Sequence, residues 1–85
     1  MLFRLGGPKV QGMWMKDMRY AIDILWVGAD GTVVHLEHDV APATYPTVFQ
    51  NPPDRLAVAV VELAAGAARR TGIVVGSPVD LDGIR

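Results

Sequence analysis

Ile22-Asp23-Ile24-Leu25-Trp26-Val27, then Gly28-Ala29-Asp30-Gly31-Thr32, then Val33-Val34-His35-Leu36-Glu37-His38 reads as two strands joined by a tight turn. β-Branched and aromatic residues fill both arms, and aspartate followed by glycine sits where a type I turn with a glycine bulge requires them. Such a turn pairs Gly28 with Thr32, then Trp26 with Val34, Ile24 with Leu36 and Ile22 with His38, which makes one face nearly all apolar. A two-residue loop of Asp30-Gly31 would instead pair Trp26 with His35 and Ile24 with Glu37, scattering polar groups over both faces. A one-residue slip is heavily penalised when one face of a hairpin is buried, so the bulged register is expected. Its second face then carries Asp23, Leu25, Val27, Val33, His35 and Glu37, with Asp23 opposite Glu37.

Working outward, residues 1–5 suit a short strand, ended by the turn-forming Gly6-Gly7-Pro8. Residues 10–18 suit another, with Trp14, Lys16 and Met18 on one face and Met13, Met15 and Asp17 on the other. Residues 41–54 hold Pro42, Pro46, Pro52 and Pro53 and read as an extended loop, with a short strand around residues 45–49. Residues 56–63 contain Val58-Ala59-Val60-Val61, a run that suits a central buried strand. Residues 64–71 read as one or two helical turns, with Arg69 and Arg70 in the last turn and Gly72 as the stop. Residues 77–81 make a closing strand that Pro78 keeps at an edge. The expected fold is mainly β: a small β-barrel or sandwich with one short helix near the C-terminus, in a single domain over residues 1–85. The helix-to-glycine-turn pattern of residues 67–76 also occurs in double-psi barrels, which is the alternative architecture.

Composition narrows the class of function. A chain of 85 residues suits one domain. A domain of this size buries only about 60% of the surface its unfolded chain exposes. There is no cysteine, so neither a disulfide nor a thiolate metal site can supplement the core. A net charge of −1 gives no electrostatic reason to expect nucleic-acid or membrane binding. Met1-Leu2-Phe3-Arg4-Leu5-Gly6-Gly7 is too soon interrupted for a signal peptide, and the apolar run over residues 56–68 contains Glu62 and Gly66 and falls short of a membrane span. A soluble, cytoplasmic protein is expected. No phosphate loop, dinucleotide fingerprint or zinc spacing is present, and no cofactor is expected.

From Met13 the chain reads Met-Trp-Met-Lys-Asp-Met, and from Ala21 it reads Ala-Ile-Asp-Ile-Leu-Trp. This resembles a bacterial and archaeal family known as domain of unknown function 192, whose hallmark Phe-Trp-Met-Lys-Asn-Thr stands a few residues before Pro-Leu-Asp-Ile-Ile-Phe. Trp14, Met15, Lys16 and Asp23 match, while Met13, Asp17 and Met18 replace Phe, Asn and Thr. Ala29-Asp30-Gly31, Ala41-Pro42, Val61-Glu62-Leu63, Ala65-Gly66 and Gly72-Ile73 continue the series, which covers roughly residues 12–80. The family's usual start, a strand and a short charged segment ahead of Met-Leu-Phe, has no counterpart in this chain. Many relatives carry export signals, so the family's compartment does not carry over. The resemblance implies a compact β-rich fold and no particular reaction.

Three groups carry potential chemistry. Trp14 with Lys16 can stack on and grip a flat or anionic ligand, and with Asp23 forms the expected polar binding pocket; the structural alternative is a buried Lys16–Asp23 ion pair. Asp23, His35 and Glu37 could share a proton or hold a divalent cation, as a hydrolase-like or metal-assisted enzyme would require, with His35 and Glu37 the weak metal candidates. That ligand set is thin, and no nucleophile elbow exists, because Gly76-Ser77 is followed by Pro78. A non-enzymatic binding or accessory domain is therefore the leading expectation. A sheet without its usual first strand leaves an open edge, so a homodimer or higher oligomer is also expected, a structural subunit in the extreme case. The apolar Leu2, Phe3 and Leu5 are its expected contributors.

Overall fold

The computed structural model describes residues 1–83. Along the chain run β1 (Leu2–Lys9), β2 (Gly12–Met13), β3 (Ile22–Val27), β4 (Val33–Val40), β5 (Phe49–Gln50), β6 (Ala57–Ala64) and α1 (Ala67–Thr71), with short 3-10 turns at Pro42–Thr44 and Leu81–Gly83. Four strands form an antiparallel sheet in the order β1-β6-β3-β4, and β2 pairs with β5 in a separate two-stranded sheet. The fold is mainly β with one short helix. It is not a closed barrel of either kind considered: the sheet is open, with β1 and β4 at its edges. Among the described residues no helix is long and apolar enough to cross a membrane.

The hairpin turn forms as its residues dictate. The Gly28 amide donates to the Thr32 carbonyl at 2.8 Å, and Gly31 takes a φ of +81° that suits glycine. The Asp30 carboxylate accepts from the Thr32 amide at 3.0 Å and from its hydroxyl at 2.8 Å, closing the turn from within. Beyond the turn the register departs from expectation. Val27 faces Val33, but a bulge then sets Trp26 opposite His35, Leu25 opposite Leu36 and Ile24 opposite Glu37. A second irregularity brings Ile22 opposite Val40 instead of His38.

The reason lies in the neighbours of β3. This strand runs between β4 and β6, and all six of its residues are buried. Ile22, Ile24 and Trp26 enter one apolar cluster, covered by Met13, Met15 and Phe49. Leu25 and Val27 enter another, covered by Ala68, Ile73, Val79 and Leu81. A strand buried on both faces does not select the register that gathers apolar side chains on one face.

β6 is central, as its β-branched run requires, and α1 follows it, entered through Gly66 at φ 87° and ended by Gly72 at φ 73°. Three other expectations are corrected. Residues 10–18 do not form one strand: only Gly12–Met13 pairs, with Phe49–Gln50, and the chain then turns at Asp17, whose φ is 62°. Residues 77–81 make a single bridge, Thr32 to Pro78, because Val79 donates to the carbonyl of turn residue Gly31 and no ladder follows. Residues 1–5 are not left over for a second copy. Leu2, Phe3 and Arg4 pair with Val61, Val60 and Ala59 of the same chain, and β1 continues through an irregularity around Gly6-Gly7 as far as Lys9.

Candidate functional site

Asp23 is one of two fully buried polar side chains among the described residues. β3 directs it away from the Trp26 face, toward the segment that carries α1. One carboxylate oxygen accepts from the Asp39 amide at 2.9 Å and the Gly66 amide at 3.3 Å, and the other accepts from the Ala68 amide at 2.9 Å. Burial by itself raises this carboxyl's pKa. The three amides and the field of His38 outweigh that effect and hold it below the ordinary carboxylate range. All three of its hydrogen bonds come from backbone amides, and no Lys16–Asp23 ion pair forms. Asp23 ties the end of β4 and the start of α1 to β3.

His35 and Glu37 lie on the opposite face, because the bulge sets them beside Trp26 and Ile24. His35 Nε2 meets Glu37 Oε2 at 2.8 Å, and the imidazole packs on the Trp26 ring with centroids 5.1 Å apart. The sheet thus separates Asp23 from the other two members of the expected acid–imidazole cluster. Among the described residues no group of three or more His, Asp or Glu side chains could hold a metal ion.

Trp14 and Lys16 come together at the surface. Met15 between them is buried beneath the β2–β5 layer, so its neighbours on either side project outward. Trp14 is 47% exposed, its ring 5.1 Å from that of Tyr45, which is 42% exposed, and the Lys16 ammonium stands 5.8 Å from the indole centroid. Trp14 also borders a groove of about 370 Å³ lined by Gln11, Gly12, Met13 and Val48. The turn after Lys16 needs a left-handed residue at Asp17, and aspartate and asparagine are the non-glycine residues that tolerate this best.

The groove rests on a clamp that the sequence reading missed. Asn51, fully buried, accepts from the Gln11 amide at 2.9 Å and donates to the carbonyls of Lys9 at 3.1 Å and Arg55 at 2.8 Å. The Trp26 indole donates to the Gln11 carbonyl at 2.8 Å. Gln11 is thus held at both its amide and its carbonyl. The only local signal was an asparagine ahead of Pro52-Pro53, which reads equally well as an ordinary loop residue. Tyr45 was likewise missed as a site residue, since the loop that brings it to Trp14 is a long-range arrangement.

No curated protein matches the chain. Two solved structures share its fold. A candidate transcription regulator from Sinorhizobium meliloti 1021 is 28% identical, with a TM-score of 0.83 over 92% of this chain and 58% of that protein. A protein of unknown function from Novosphingobium aromaticivorans DSM 12444 is 30% identical, with a TM-score of 0.83 over 94% of this chain and 55% of that protein. The chain therefore spans little more than half the length of each. The model of one family matches residues 1–81 of the 85, nearly the whole chain: the chain belongs to domain of unknown function 192, described as uncharacterized ACR.

Proposed function

We propose that this protein is a ligand-binding domain that recognises a flat group carrying a negative charge at the corner formed by Trp14, Tyr45 and Lys16. The observation that supports it is an indole and a phenol half out of water, with an ammonium over the indole, beside a groove whose backbone is pinned from below. An exposed cation–π contact is worth only about 0.5–1 kcal/mol, too little to explain why two large rings stay half in water. A stacked planar ligand adds about 1–3 kcal/mol, and a charge-assisted hydrogen bond from Lys16 about 1.5–3 kcal/mol. Together these reach about 4 kcal/mol, which corresponds to about millimolar affinity. A further contact in the groove would tighten it. Asp23, bonded to Asp39, Gly66 and Ala68 on the α1 side of the sheet, is not part of this corner.

The reading favours recognition over catalysis, because the acid–imidazole cluster is divided by the sheet. One structural neighbour is a candidate transcription regulator, and a ligand-sensing part of a longer protein is consistent with that; the charge of −1 gives no footing for direct phosphate-backbone contact. The test is tryptophan fluorescence against aromatic carboxylates and nucleoside monophosphates at millimolar concentration. Trp14 is exposed and Trp26 is buried, so quenching is expected in the wild type and absent in Trp14→Ala, which retains the Trp26 emission. Lys16→Ala should weaken binding of the anionic probes and leave neutral aromatics unchanged. Equal quenching in Trp14→Ala and wild type would remove this surface from consideration.

A further inference from the structure

A second concavity, of about 400 Å³, lies on the Trp26 side of the sheet and is lined by Met1, Met18, Tyr20, Ile22, Glu62 and Ala64. Its volume is within the range of small-molecule pockets, about 300–1,000 Å³. Ile24 has a carboxylate neighbour on each flank of this face, Glu37 from β4 and Glu62 from β6. Glu37 is taken up by His35 at 2.8 Å. The Glu62 carboxylate has no side-chain partner among the described residues. The Met1 ammonium is the cation that acts on it, and that group donates to the Glu62 backbone carbonyl at 2.7 Å. The walls on either side are the apolar Met18, Ile22 and Ala64, and the exposed Tyr20 ring stands at the mouth.

We propose that this pocket binds a small organic ammonium, a primary amine on a short apolar body, with Glu62 as its counter-ion. The apolar walls take the alkyl part, Glu62 takes the charge, and the Tyr20 ring offers a π face to the cation as it enters. No lysine or arginine side chain borders this lining, and the Met1 ammonium at its wall is already engaged by the Glu62 backbone carbonyl at 2.7 Å. Burial pushes the Glu62 carboxyl up, which is the mark of a poorly solvated carboxylate and so of one that gains from a cation. The site is independent of the Trp14 surface.

The test is a titration of the isotope-labelled protein with n-butylammonium chloride, followed by amide chemical shifts, with n-butanol and sodium butyrate as matched controls. Saturable shifts are expected at Tyr20, Ile22, Glu62 and Ala64. Glu62→Gln should weaken butylammonium binding about tenfold or more, and n-butanol should bind the wild type about tenfold more weakly than the amine. Trp14→Ala should bind the amine as the wild type does, so failure of the Trp14 reading leaves this result untouched. Glu62→Gln keeps the size and hydrogen-bonding reach of the side chain, and an unchanged amide spectrum will show that it folds. The proposal is overturned by equal binding of amine and alcohol, by undiminished binding in Glu62→Gln, by shifts centred elsewhere, or by none at all at about 100 mM amine, where even a millimolar site saturates.

Discussion

At the scale of single residues, Asp23 shows how a charge can be buried with backbone amides as its hydrogen-bond donors. Three backbone amides at 2.9, 2.9 and 3.3 Å satisfy it. Asp23→Ala leaves those donors unmet in the interior, at about 1–3 kcal/mol for each that water cannot reach. The exposed Asp80 accepts a local amide hydrogen bond, and its replacement by alanine should cost about 0.5 kcal/mol or less. Urea denaturation of the two variants should therefore differ by several-fold in lost stability, and equal losses would deny Asp23 its role as a pin. The sign of the pH effect follows from the depressed pKa. A carboxyl whose folded-state pKa lies below its unfolded value of about 3.9 stabilises the fold above that pH, and the contribution is lost as pH falls through the folded value. Melting temperature measured between pH 7 and pH 2 should drop on the acid side in the wild type. In Asp23→Asn, which lacks the ionisation, that drop should be shallower. The sequence marked Asp23 as needing a partner. It could not say which, because the three amides come from residues 16 to 45 positions away along the chain.

At the scale of elements, the hairpin separates what is local from what is not. The turn is local: Gly31 at φ +81° and Asp30 bridging to Thr32 follow from five adjacent residues. Gly31→Ala should destabilise by about 1 kcal/mol or more, because alanine is strained at that angle. Its nearest outside neighbour would be the Val79 carbonyl at 3.9 Å, so strain and not collision sets the cost. An unchanged melting temperature would contradict this account of the loop. The register beyond the turn is not local. The bulge that seats His35 on Trp26 exists because β6 and the β2–β5 layer require Trp26 inside, and β4, as an edge strand, yields. The clamp is an element-scale device too. Asn51→Ala removes three hydrogen bonds that tie Lys9, Gln11 and Arg55 together, and should cost about 2–3 kcal/mol. It should also raise amide exchange at Gln11 and Met13 more than at Leu25, and uniform exchange would mean that the groove is held by something else.

At the scale of the whole molecule, self-association was expected from an open sheet edge, with residues 1–5 contributing to it, and those residues pair with β6 of their own chain. An additional strand could reach the outer side of β1, where the Gly6-Gly7 irregularity, Pro8 and Lys9 blunt the edge, or that of β4, which carries the polar His35, Glu37, His38 and Asp39, as natural sheets guard their edges. Sedimentation velocity at micromolar concentration should therefore show a species near 9.2 kDa. A dimer that Arg4→Pro dissolves would show that β1 is nonetheless the interface.

The strands at β3, β4 and β6, the turn between the first two, the short helix with its glycine stop and the family were legible in the sequence, because each rests on neighbours or on an ordered series of motifs. Burial of both faces of β3, division of Asp23 from His35 and Glu37, the meeting of Trp14 with Tyr45 and the clamp by Asn51 were decided only by the tertiary structure. Each depends on which layers stack on the sheet. Period-two patterning tells which residues share a face, but it does not say how many faces will be covered.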